Sequence, residues 1–156
     1  MPRDLRMSRM LHVLIHMDRH VGRATSDQIA RMLSTNAVVV RRMMAGLRER
    51  GLVTSEKGHG GGWELARSLA DFTLLDVYEA VGQPPLFNIG SEAEPAECLV
   101  EKAVDARMDA TLLEAEKRLL AEFASIRVED VAQDFERRYA ELPGAPAEMT
   151  GPECGG

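Results

Sequence analysis

Between Thr25 and Leu65 the sequence carries an order of start and stop signals that few folds satisfy. Thr25 is followed three residues later by Gln28, the capping-box spacing that satisfies open amide groups at a helix start. Ile29, Ala30 and Leu33 supply the buried side of a short helix over 25–33. Ser34-Thr35-Asn36 is a run of turn and cap formers, and AVVVRRMMAGLRER then continues to Gly51, a residue suited to a left-handed helix terminus. A third helix over 37–50 follows from these two ends. Beyond Gly51 the pattern changes to two short strands, Leu52-Val53-Thr54 and Trp63-Glu64-Leu65-Ala66, joined by the glycine-rich SEKGHGGG. That segment predicts a flexible hairpin. With a first helix at Ser8 to His20, ending before Val21-Gly22-Arg23, the order is that of a winged helix-turn-helix, whose third helix enters the DNA major groove.

The rest of the chain predicts a second, helical region. Thr73 opens TLLDVYEAVG, a helix closed by Gly82, and Pro84, Pro85 and Pro95 break the segment that follows. From about 97 to 124, Val100, Val104, Met108, Leu112, Ala115, Leu119 and Phe123 recur at steps of three and four, the mark of one long amphipathic helix. Val128 to Leu142 adds a charged helix, and disorder is expected beyond Pro143. The fold class is therefore mainly α with a small β-hairpin wing. Its parts are a winged helix-turn-helix over 1–82, a loop over 83–96, helices over 97–142 and a tail over 143–156. A helix of nearly thirty residues is about 40 Å long, more than the winged region can cover. Pairing with a second copy through Val104, Met108, Leu112, Leu119 and Phe123 is the expected remedy.

Net charge misleads until it is divided along the chain. The whole carries 19 basic and 25 acidic residues, a net of -6. Residues 1–67 hold 12 Lys/Arg against 6 Asp/Glu, a net of +6, and residues 68–156 hold 7 against 19, a net of -12. One basic half suits a polyanion such as double-stranded DNA, and one acidic half suits assembly. No stretch approaches the roughly 18 apolar residues of a membrane span, and the opening MPRDLRMSRM has no apolar signal core, so the expected location is the cytoplasm, away from membranes.

The third helix can be read by its wheel. With Val40, Met44 and Leu47 facing the core, Val38, Arg42, Ala45 and Glu49 fall on the opposite side, flanked by Arg41 and Arg48 and by Val39 and Gly46. Exposed β-branched valines suit contact with thymine methyl groups, and Arg42 suits guanine acceptors or a phosphate. Small Ala45 and Gly46 would let the helix backbone approach the groove. Arg41 and Arg48 suit phosphates, as do Lys57 and His59 on the hairpin. The candidate DNA contacts are thus Thr25, Ser26, Thr35, Asn36, Val38, Val39, Arg41, Arg42, Arg48, Lys57 and His59.

STNAVVVRRMMAGLRERGLVTSEKGHGGGWELARSLADFTLLDVYEAVG resembles the winged helix-turn-helix of the Rrf-two (BadM-type) family of bacterial transcriptional regulators. The likeness extends over about residues 8–140 and is most specific at 51–82. It implies a homodimer joined by the long helix, acting on a near-palindromic operator, usually as a repressor. Members that carry an iron-sulfur cluster place three close cysteines in the segment corresponding to about 88–105, where this chain has Cys98 alone. The TNAVVVRRM stretch is closer to the branch without that motif, so no cofactor is expected and a cluster is disfavoured.

Two further groups bear on regulation. Cys98 is a candidate redox-sensing thiol, but Glu92, Glu94, Glu97 and Glu101 around it should disfavour the thiolate. His12, His16 and His20 stand at i, i+4 and i+8, a spacing that can share a metal, yet no Asp, Glu or Cys joins them in a recognisable motif. Ser8 stands where some cluster-binding relatives have a carboxylate. No metal site is therefore assigned. No nucleophile with its base, metal motif or cofactor loop points to an enzyme. The alternative from another class is a protein-interaction adaptor whose acidic half docks a partner.

Overall fold

The computed structural model describes residues 4–89 and 98–141. The expected tail over 143–156 and most of the second half of the 83–96 loop lie outside them. Helix α1 (Arg6–His16) runs into a π-helical turn at Met17–Val21, closed by Gly22, whose N–H reaches Met17 O with a backbone φ of +67°. Helices α2 (Ser26–Met32) and α3 (Ala37–Glu49) follow, then strands β1 (Val53–Glu56) and β2 (Gly62–Leu65). A 3-10 turn at Leu69–Asp71 leads to α4 (Leu74–Ala80), and the long α5 (Leu99–Ser125) and α6 (Val128–Ala140) complete the order.

Local chemistry explains the ends. Thr25 caps α2 reciprocally with Gln28, and Thr73 does the same with Asp76 for α4. At the end of α3, Gly51 adopts φ +68°, so that its N–H reaches Arg48 O and that of Leu52 reaches Leu47 O. This is a Schellman closure, available without strain because glycine has no Cβ.

The core is one cluster beneath the winged half. Met10, Val13 and Leu14 from α1 and Met17 from the π-helical turn meet Ile29 of α2, Val40, Met44 and Leu47 of α3, and Leu52, Leu69, Phe72 and Val77. Steps of three and four along α1 set its residues on one face. The α5–α6 corner belongs to this core too: Val128 N–H donates to Phe72 O and Leu74 N–H to Ile126 O, and Val128 and Ala132 are buried. Arg19, on the π-helical turn, adds ion pairs of 2.7 Å to Glu129 and 2.6 Å to Glu136 of α6.

Helix α5 differs from its expected role in detail. It has no fully buried residue. Val104 and Met108 are exposed, as is Leu113, whereas Leu112, Leu119 and Phe123 are already half-buried within one chain, Phe123 with its ring 6.0 Å from Tyr78 of α4. The reason is geometric. Each step of four advances about 40° beyond a full turn, so an i, i+4 series winds around the helix and cannot stay on one seam. Its later members meet α4, and its earlier ones face solvent. Among the described residues, no helix is long and apolar enough to cross a membrane.

Candidate nucleic-acid interface

Asn36 starts α3 by accepting from Val38 N–H and Val39 N–H, both at 3.0 Å, through its side-chain oxygen. The first turn of α3 is thereby held with its side chains outward: Val38 is 64% exposed and Val39 38%. Arg41, Arg42 and Arg48 are exposed on the same helix, while Val40, Met43, Met44 and Leu47 are buried. Thr35 is half-buried in the turn before Asn36, where Ser34 takes a left-handed φ of +50°.

The hairpin that the sequence predicts is present and is fastened at several points. Its strands pair in register Val53 with Leu65 through Glu56 with Gly62, and Ala24 adds a third, one-residue rung by exchanging backbone hydrogen bonds of 3.0 and 2.8 Å with Trp63. Alternation puts Val53 and Trp63 on the buried face with Ser55 between them in the pattern. The Trp63 indole donates to Ser26 Oγ at 3.0 Å, and Arg48 donates to Ser55 Oγ at 3.4 Å. These bonds bring the start of α2, the middle of α3 and the hairpin together around one cleft, lined in part by Thr25, Ser26, Arg41, Arg48 and Lys57. Val38, Val39, Arg42 and Asn36 lie beyond the cleft on the first turns of α3, and exposed His59 lies in the hairpin loop between β1 and β2.

The basic half of the chain is not uniformly available for binding. Arg6 pairs with Asp4, Arg19 with Asp18 and two α6 carboxylates, Arg23 with Glu56 and Glu64, and Arg50 with Glu79. Among the described residues, Arg41, Arg42, Arg48 and Lys57 have no carboxylate within ion-pairing distance. With Arg6, Arg19, Arg23 and Arg50 paired, the exposed Arg41, Arg42, Arg48 and Lys57 leave a basic surface at α3 and the hairpin. Ser55, which holds Arg48, and Arg23, which holds the hairpin, were not found from the sequence. The strand alternation that places Ser55 beside Trp63 was the available signal.

Two expectations, at Gly46 and Cys98, need correction. Gly46 does not thin α3 for a close approach to DNA: a Cβ there would fall on the Ala80 carbonyl oxygen, so its smallness serves the packing of α4 on α3. Cys98 is exposed at the start of α5, and the N–H groups of Glu101 and then Val100 lower its pKa from the ordinary thiol value, although neither makes a capping hydrogen bond. Helix-end amides thus act opposite to the neighbouring carboxylates. The histidines at 12 and 16 lie ring to ring at 4.7 Å, with His16 buried in the domain, and burial lowers the pKa of His12. The side chain of His20 lies outside the described residues.

Comparison with known proteins agrees with this geometry. The family model described as "Rrf2: Iron-dependent Transcriptional regulator" matches residues 4–134. YwnA of Bacillus subtilis (strain 168), provisionally named an HTH-type transcriptional regulator, is 35% identical over 129 residues, spanning 81% of this chain and 93% of that protein. A crystal structure of a provisionally assigned DNA-binding protein matches with a TM-score of 0.61 at 32% identity, over 81% of this chain and 97% of the other. A provisionally assigned transcriptional regulator from Lactobacillus plantarum matches with a TM-score of 0.69 at 22% identity, over 85% and 90% of the two chains, a likeness of fold. The iron in the family's description does not fit the residues present. The sequence has two cysteines, Cys98 and Cys154, and among the described residues no group of three His, Cys, Asp or Glu side chains could hold a metal ion.

Proposed function

This chain belongs to the Rrf2 family of transcriptional regulators, and we propose that it acts as a homodimeric repressor on an operator of two inverted half-sites. In this reading each protomer inserts the first turns of α3 into a major groove. Val38 and Val39 face thymine methyl groups, Arg42 reaches guanine acceptors, and Arg41, Arg48, Lys57 and His59 grip phosphates. Thr25, Ser26, Thr35 and Asn36 border this contact from the starts of α2 and α3. The observation that carries the reading is the set of exposed arginines on α3, beside Lys57, that no carboxylate among the described residues neutralises.

The homodimer is supported by α5. Leu99 is 79% exposed and Val100 71%, and with Val104 and Met108 they form an apolar end that a single chain leaves in water. A second copy laid on this end would bury it, and it would fix the spacing of two recognition helices. Such a dimer represses by occupancy, excluding other proteins from the DNA it covers.

Selection of duplexes from a random pool by the full-length chain tests the reading. The expected product is an inverted repeat bound by a dimer in sedimentation, and a reporter placed behind it should fall when the protein is present. Replacing Val104 and Met108 with Glu should give folded monomers that bind the repeat weakly. An enriched duplex without two-fold symmetry, a native monomer at micromolar concentration, or a reporter that rises contradicts it.

A further inference from the structure

Arg23 stands in the turn before α2 and reaches across to the hairpin. Its guanidinium donates to Glu56 of β1 at 2.6 Å, to Glu64 of β2 at 2.7 Å and to the Gly60 carbonyl in the loop at 3.2 Å. The register sets Thr54 opposite Glu64 and Glu56 opposite Gly62, so the two glutamates are diagonal neighbours on the face away from Trp63. One side chain thus joins both strands and the loop between them. Space for it is built into the strand: Gly62 has φ +154°, and a Cβ there would come within 2.8 Å of Ala24 O and 3.3 Å of Arg23 Cγ.

This arrangement adds little to the stability of the fold, because water screens ion pairs this exposed. Its consequence is electrostatic. Glu56 lines the same cleft as Arg41, Arg48 and Lys57. Without a partner, its carboxylate would repel the phosphates those cations attract, and Glu64 would add a second negative charge beside it. A planar fork with several donors can meet both carboxylates and a carbonyl at once, which an ammonium group cannot do with fixed geometry.

We propose that Arg23 cancels the charge of Glu56 and Glu64 on the hairpin, so that Lys57 and His59 meet the DNA backbone unopposed. The proposal rests on the DNA-binding reading above. The test uses the full-length chain, titrated onto random-sequence duplex at low salt. Arg23→Gln should weaken binding roughly threefold to tenfold, with the dimer and the fluorescence of Trp63 unchanged. Adding Glu56→Gln and Glu64→Gln to that variant should recover most of the loss, and Arg23→Lys should fall between. Unchanged affinity in Arg23→Gln overturns the proposal, as does a loss that removing the two carboxylates fails to recover. If the native chain itself does not bind duplex, the interface assignment fails first, and this role fails with it.

Discussion

The indole N–H of Trp63 donates to the Ser26 hydroxyl at 3.0 Å, and this bond ties the second strand of the wing to the first turn of α2. The wing and the helix-turn-helix are therefore joined at this point. Trp63 is the single tryptophan of the chain, so its emission reports on the junction.

Ser26→Ala leaves the part-buried indole N–H without its acceptor. The expected cost is about 1 kcal/mol in urea unfolding, together with a shift in Trp63 emission. An unchanged midpoint and spectrum would show that the bond does not fasten the wing.

Gly46→Ala opposes two effects of known sign. Alanine favours a helix interior over glycine by about 1 kcal/mol, but here its methyl group falls on the Ala80 carbonyl of α4, which is backbone and cannot swing aside. Overpacking of about 1 to 3 kcal/mol or more should prevail, lowering the thermal midpoint. A stabilised variant would mean that α4 is not seated on α3 as described.

Arg42→Ala and Lys57→Ala should differ in kind. Loss of Arg42 should cost roughly 1 to 3 kcal/mol on the selected operator and relax base preference, whereas loss of Lys57 from both protomers should weaken all duplexes evenly and reduce the salt slope by about two, one per protomer. Competition titrations with operator and random duplex measure both. Equal effects on the two duplexes in Arg42→Ala would remove that residue from base recognition.

The pH dependence of stability has a worked sign at His12. Burial lowers the pKa of its imidazole in the folded chain, while the unfolded chain takes up the proton near the ordinary value of about 6.5. Between those two points the unfolded state holds more protons, so stability rises with pH there and is lost as pH falls below about 6.5. Urea midpoints measured from pH 8 down to 5.5 should decline in the lower half of that range, and His12→Leu should flatten the decline. An identical slope in the variant would place the titration elsewhere.

Features written in adjacent residues were legible in the sequence, and those made by distant pairs were not. The Thr25–Gln28 box and the Gly51 terminus depend on spacings of a few residues and were found as read. The buried face of α3 at Val40, Met44 and Leu47 followed from helix period alone, with Met43 added by the structure. Gly46 and Arg23 were opaque because their partners lie 33 to 41 residues away, in α4 and in the hairpin. The stripe along α5 was visible, but its division between α4 and solvent needed the position of the α5–α6 corner, which backbone pairing at Phe72 and Leu74 sets. The candidate DNA face was legible as a list of cations, and its Arg41, Arg42, Arg48 and Lys57 have no ion-pair partner among the described residues.

The most direct test of the account is the salt dependence of duplex binding by the native dimer. With Arg41, Arg48 and Lys57 of each protomer on phosphates, the proposed symmetric complex has six contacts, which predicts a slope of log K against log salt of about -5. Replacing all three with alanine should flatten that slope toward zero while the dimer stays folded. Binding that does not weaken between 50 and 200 mM salt (roughly the range over which phosphate contacts lose most of their strength), or a slope that the triple variant leaves unchanged, would contradict the assignment of this face to DNA.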